Sequence, residues 1–295
     1  MKYEFTNETN ENGLRRIRAL QDIPAYGVRK GDLGGFIASE DSLSQKEDAW
    51  VSDDAQVFGG AQVSDRAWVS NDAQVFDRAR VSDDAQVSGR ARVSDRARVS
   101  DRTWVFDDAR VFDYAQVYGD AQVSGRAQVS GRAQVSDRAW VSDRAWVSDD
   151  AWVFDDAQVS GGARVSGGAR VSDCAQVSGD ARVFGDAWVS NGARVFGRAR
   201  VFDRAQVSDR AQVSGDAQVS GDARVSGILR SDGFPFIYVP CADGEMRVIA
   251  GCRYFTMKEA RKHWAQTRQG TLLGDETFAI LDFLEASAKI KGYGG

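Results

Sequence analysis

From Ala49 onward, apolar and polar positions alternate with a period of six that holds until about residue 228. Every first position from Val51 to Val225 is valine, giving 30 units, and the residue two before each valine is alanine except at Thr103. On an extended chain, residues two apart face the same way. Each Ala-x-Val therefore buries a small and a β-branched side chain and points the intervening Gln, Arg or Trp outward. The third position of each unit is Asp, Gly or Asn, as at Asp53, Gly59 and Asn71. These residues accept left-handed backbone angles or form local Asx turns, so a corner is expected every six residues. Short strands between such corners can pair only with their equivalents one turn above and below. The expected fold is mainly β: a single parallel β-helix, residues 37–228, of about ten three-sided coils.

A period of 18 should then align like residues on neighbouring coils. Trp50, Trp68, Trp104 and Trp140 fall on one such ladder, with Gln86 and Gln122 in its gaps. Phe58, Phe76, Phe112, Phe184 and Phe202 fall on another. Stability should come from nearest-neighbour coil stacking. Arg92 and Arg110 also stack at this period, as do Arg164, Arg182 and Arg200, and should repel unless Asp, Gln or an anion intervenes.

Solenoids need atypical ends. Residues 1–36 read as an N-terminal β cap, with short strands around Tyr3–Thr6 and Leu14–Leu20; Ile37 and Leu43 form an irregular first coil. Residues 229–295 read as a small α+β C-terminal cap. It should contain a hairpin of Phe236–Val239 and Met246–Ile249 around Asp243-Gly244. Thr256 and Glu259 form a capping-box signal for a helix from Met257 to about Gln266. A second helix is expected from Asp275 to about Lys289, carrying Phe278, Leu281, Phe283 and Leu284.

The unit Val51-Ser-Asp-Asp-Ala-Gln56 resembles the hexapeptide repeat of bacterial acyltransferases, a likeness covering about three fifths of the chain. The resemblance implies a left-handed coil, trimeric assembly, and acyl transfer from a donor such as acetyl-coenzyme A with a histidine as base. A second likeness covers the whole chain. Gly31-Asp-Leu-Gly-Gly-Phe-Ile37, the uninterrupted coils and the two-cysteine tail resemble an enterobacterial protein carried under a transferase label without an established substrate.

The residues themselves restrict this chemistry. The repeat contains no histidine and no inserted loop, and the one histidine, His263, lies in the tail. It is the candidate catalytic base, with Glu259 one helical turn earlier as its acidic partner; the competing reading is packing beside Trp264. Cys241, Cys252 and His263 could supply three zinc ligands, but their spacings are long and no fourth stands out, so no metal is expected. Cys174 occupies a turn and reads as an incidental thiol. No cofactor is evident outside the acetyl-coenzyme A alternative.

The net charge of −5, with acids and bases interleaved, gives no basic footprint for nucleic acid. No apolar stretch reaches membrane-spanning length and the first residues lack a signal-like apolar run, so a soluble cytoplasmic protein is expected. Three cysteines suit a reducing compartment. Trp140, Trp146 and Trp152 occupy the outward position in three consecutive units, one on each side of a coil, which favours a homo-oligomer, plausibly a trimer. The leading expectation is a structural or assembly scaffold. A divergent acyltransferase acting at an intersubunit or C-terminal cleft is the alternative, and a surface-associated fibre segment is a third.

Overall fold

The computed structural model describes residues 1–226, 228–240, 246–250 and 253–290. It comprises two compact units, Met1–Asp155 and Asp156–Gly295. Both are built on a parallel β-solenoid, and the chain is mainly β.

The corners set the geometry. All 29 described third positions, Asp53 through Gly221, have φ between 52° and 73°. The next alanine closes most of these corners, as when the Ala55 N–H donates to the Ser52 carbonyl at 3.1 Å. The thirtieth corner, Gly227, lies outside the described residues. Between corners, strands of two or three residues pair in parallel with those 18 residues away, for example Gln86 with Trp104 and Val87 with Val105. The expected period and three-sheet arrangement are both present.

In the first unit, 18 such strands from Trp50–Val51 to Trp152–Val153 make six coils. An irregular turn precedes them, in which Ile37 pairs with Val57 and Leu43 bridges Val63. On each of the three sides the core is two columns of small side chains: Ala127 and Val129 are fully buried, as are their equivalents in nearly every coil. Thr103, the exception in the alanine column, is also buried, and its hydroxyl donates to the Ser100 carbonyl at 2.6 Å. A buried hydroxyl without a partner would be costly, so this bond makes the substitution tolerable.

The corner aspartates reach farther than a local turn requires. Asp101 Oδ2 accepts from the Gly119 N–H at 3.1 Å, and Asp107 does the same for Gly125 at 3.2 Å and Asp113 for Gly131 at 3.1 Å. Each carboxylate thus ties its corner to the one 18 residues on. Where two aspartates are stacked the bond is longer, at 3.5 Å from the Asp101 N–H to Asp83 Oδ2. Like charges at strand spacing work against close approach.

The first unit also closes its own end. Tyr3–Thr9, Arg15–Ala19 and Leu33–Ile37 form an antiparallel sheet, and the last of these strands turns the pairing parallel by joining Gln56–Val57. Carbonyls that have no coil beneath them are met by side chains from the start of the chain. Lys2 Nζ donates to the Ala49 carbonyl at 2.6 Å, and the Tyr3 hydroxyl to the Leu43 carbonyl at 2.9 Å. Burial pulls the Lys2 ammonium down to about 8, against the opposing pull of Asp48 and Glu47. The same cap covers Trp50, which is 1% exposed although its position faces outward in later coils.

In the second unit, 12 strands from Gln158–Val159 to Arg224–Ser226 make four coils. Ile228–Leu229, Pro235–Pro240, Met246–Ala250 and Arg253–Thr256 then form a four-stranded antiparallel sheet. The expected hairpin is present, while its turn at Asp243-Gly244 lies outside the described residues. Helix α1, Met257–Arg268, starts with a complete Thr256/Glu259 capping box. Helix α2 spans Leu272–Ile290, beginning three residues before the expected Asp275. Thr271 explains the earlier start, since its Oγ1 accepts from the Gly274 N–H at 3.1 Å. Phe236, Val248, Trp264, Leu281 and Leu284 form the tail core, with Phe278 packed against it. Phe283 departs from expectation: two residues past Leu281 it lies on the far face of the helix and is 62% exposed.

Gly131 has φ +68°, and a Cβ there would sit 2.7 Å from the Asp149 backbone nitrogen. Gly131→Ala should therefore destabilise the coils by about 1–3 kcal/mol through left-handed strain and overpacking, read as a lower urea midpoint by far-UV circular dichroism. Lys2→Met should cost a comparable ~1–3 kcal/mol by leaving buried carbonyls without a donor. The same melt checks it, and an unchanged midpoint would show that water replaces the ammonium.

Candidate functional site

The frame is so uniform that chemistry can vary only at its outward positions and in the tail. The outward residue lies between a buried alanine and a buried valine, so its backbone is held while its side chain is free to differ from coil to coil.

Trp140, Trp146 and Trp152 stand on three different sheets and are 45%, 39% and 40% exposed. The indoles of Trp140 and Trp146 lean onto the coil below. Trp140 Nε1 donates to Ser124 Oγ and Trp146 Nε1 to Ser130 Oγ, both at 3.2 Å, while Trp152 meets Phe154 edge-on with centroids 6.0 Å apart. Tethering the indole nitrogen holds the ring in a defined pose with part of it still in solvent.

One sheet of the first unit carries a longer period. Trp68, Gln86, Trp104, Gln122 and Trp140 pair in unbroken order, so tryptophan and glutamine alternate strand by strand. Two residues before each, the adjoining corner alternates as well: Arg66, Asp84, Arg102, Asp120 and Arg138. Arg66 pairs with Asp84 and Arg102 with Asp120, both at 2.7 Å. Asp84, Gln86, Arg102, Trp104, Asp120 and Gln122 line a shallow groove of about 450 Å³. At the first station, Tyr26 lies nearly parallel on Trp68, with centroids 5.1 Å apart, and its hydroxyl donates to the Arg66 carbonyl. The sequence reading found the Trp/Gln ladder but missed the Arg/Asp alternation beside it. That signal is legible at a period of 36 rather than 18.

Two of the stacked arginines lie over aromatic rings. The Arg92 guanidinium lies 5.0 Å from the Phe76 ring centre, and that of Arg200 lies 5.5 Å from both Phe184 and Phe202. Cation–π contact eases the like-charge stacking there. Phe58 with Phe76, and Phe184 with Phe202, stack nearly parallel at 5.1 and 5.0 Å.

His263 sits half-buried on α1 against Phe255 and Trp264. Its Nδ1 is 3.5 Å from Arg253 Nη1, and desolvation together with the Arg253 charge lowers its pKa. Glu259 is engaged elsewhere: its carboxylate accepts from the Thr256 N–H at 2.8 Å and the Thr256 hydroxyl at 2.9 Å. The structure therefore places a cation beside the imidazole and commits the expected acidic partner to the helix cap. Cys241 and Cys252 lie outside the described residues, and among the described residues no three metal-ligating side chains converge. Cys174 is exposed at a corner, with φ 58°. No helix among the described residues is long and apolar enough to cross a membrane.

The tail holds one charged group that the sequence reading passed over. Arg230, 4% exposed, pairs with Asp232 at 2.7 Å and donates to Thr277 Oγ1 at 2.9 Å. Hydrogen bonding from Arg230 holds the Asp232 carboxyl down at about 2. Ser231 binds Glu276 through its backbone and hydroxyl, both at 2.6 Å. These bonds fasten α2 to the turn between the first two strands of the tail sheet, a structural role.

Small buried columns, left-handed corners and 18-residue pairing define a parallel β-solenoid repeat protein. Residues 73–89, 85–101, 175–191 and 217–227 match the family model described as the YdcK beta solenoid repeat, so these stretches of the solenoid are similar to that repeat. No curated protein matches the chain.

The His263 environment has a measurable consequence. Proton NMR titration of this single histidine should give a pKa below the ordinary imidazole value, and Arg253→Ala should raise it. Because the unfolded chain then binds the proton more readily, the contribution to stability falls as pH drops through the ordinary imidazole range. It levels off once the folded-state imidazole is charged. An ordinary pKa unmoved by Arg253→Ala would contradict this environment.

Proposed function

We propose that the protein is a structural or assembly scaffold, a solenoid whose invariant interior displays outward aromatic side chains for association with further copies of itself. The observation that carries this reading is the set of half-exposed indoles on one coil, at Trp140, Trp146 and Trp152. Large aromatic side chains presented repeatedly to solvent favour burial at an interface, where aromatic residues are enriched. Closed symmetry would cover them without leaving a growing end. A ring of three copies uses two faces of each, and Trp146 and Trp152 supply those two faces. The third sheet, with Trp68, Trp104 and Trp140, then remains open.

The alternative is a divergent acyltransferase dependent on acetyl-coenzyme A, with His263 as base. Its support is the lowered pKa, since a neutral imidazole at neutral pH is the form able to accept a proton. Arg253 beside the ring and Glu259 bound in the cap weigh against it.

Light scattering after size exclusion should give a mass of three chains, and Trp146→Glu combined with Trp152→Glu should reduce it to one. A wild-type monomer at tens of micromolar would defeat the assembly reading. Calorimetry should show no saturable acetyl-coenzyme A binding. Saturable binding, with acyl-transfer turnover lost in His263→Ala, would establish the enzyme instead.

A further inference from the structure

The alternating face of the first unit is built as a series of equivalent seats. Arg66-Ala-Trp68, Arg102-Thr-Trp104 and Arg138-Ala-Trp140 recur every 36 residues, with Asp84-Ala-Gln86 and Asp120-Ala-Gln122 between them. Two coils separate successive tryptophans, a distance of about 9.6 Å at the spacing of paired strands.

The first seat shows what the others can hold. Tyr26 places a flat ring on Trp68, tilted by 24°, and anchors it with a hydroxyl at its rim. Trp104 and Trp140 offer the same indole surface and are 49% and 45% exposed. A ligand that repeats every two coils and presents a flat, hydroxylated ring at each seat matches this face.

We infer that the face binds an uncharged β-1,4-linked glycan lying along the direction in which the coils stack. A pyranose ring is apolar on its faces, where C–H groups point, and polar at its rim. Its face suits an indole, and its hydroxyls need the donors and acceptors that Gln, Arg and Asp supply. An extended β-1,4 chain advances by about one strand spacing per sugar and turns over at each linkage. Every second ring therefore presents the same face in the same place, which is the spacing of the tryptophans. Gln86 and Gln122 stand opposite the intervening sugars. Arg66 and Arg102 are neutralised by Asp84 and Asp120, and Asp65, Asp83, Asp101 and Asp137 share the same corners, so the face offers no excess of positive charge to recruit an anionic polymer.

The inference does not rest on the scaffold reading, which uses the faces of Trp146 and Trp152. Calorimetric titration of the full chain with cellohexaose, and with maltohexaose as the coiled α-1,4 isomer of the same sugar, tests it. Glutamine already occupies alternate stations of the ladder, so Trp104→Gln and Trp140→Gln should preserve the coils, which circular dichroism verifies. Cellohexaose should bind saturably and maltohexaose at least about tenfold more weakly. Trp104→Gln should weaken cellohexaose about tenfold, the scale of one lost aromatic stacking contact. Trp188→Gln, on a different sheet and 40% exposed, should leave affinity unchanged. Absent cellohexaose binding, equal binding of maltohexaose, or equal weakening by Trp188→Gln would each overturn the inference. So would a change of molecular mass in Trp104→Gln, because the face would then be a contact between copies.

Discussion

The rest of the structure depends on one constraint: the third residue of every unit must turn with positive φ. With that angle met, each unit has the same length and each side of a coil lies beneath its equivalent 18 residues on. The backbone N–H of one coil can then meet a carbonyl of the next at about 2.9 Å, as from Gln74 to Ala91 and from Arg92 to Ala109. The valine and alanine columns follow from the same register. Neither residue type is large enough to hold the fold by burial alone, so the cohesion of the coils is largely backbone pairing.

Aspartate satisfies that constraint at a conformational cost glycine avoids, and gains a bond that glycine cannot make. Its carboxylate accepts the N–H of the next corner, more closely where that corner is glycine or asparagine than where it is a second aspartate. This gives the mixture of Asp and Gly in the corner columns a physical sense: an aspartate below a glycine makes a tie without like-charge stacking. Five corners go further and place the fourth residue at positive φ too, including Arg78, Cys174 and Arg210. There the inter-coil bond reverses, with the Arg78 N–H donating to the Gly59 carbonyl and the Arg210 N–H to that of Asn191. Arginine and cysteine in this conformation carry strain that the flanking bonds must offset.

A frame that regular separates stability from recognition. The inward columns barely vary, while outward positions range over Gln, Arg and Trp without disturbing the register. Function is therefore to be sought in which outward residues align along a sheet rather than in a cleft. The Trp/Gln and Arg/Asp alternation is such an alignment, and the internal Tyr26 on Trp68 shows that it accepts a ring. The tail obeys different rules, with a conventional core around Phe236 and Trp264 and a buried Arg230 fastening its second helix.

The period of six, the corner residues and the spacing of 18 were legible in the sequence because each is a local or strictly periodic demand on the backbone. The Thr256/Glu259 cap was legible for the same reason. What tertiary structure decided was partnership at a distance. Lys2 and Tyr3 show no pattern in sequence that announces them as donors to Ala49 and Leu43. Trp50 looks like its equivalents but is buried, because only folding brings the cap over it. Glu259 stands one turn from His263 and yet serves the helix end, where its carboxylate accepts from the Thr256 N–H and hydroxyl. Tyr26, 42 residues from Trp68, reaches that indole only once the cap has folded back over the coils.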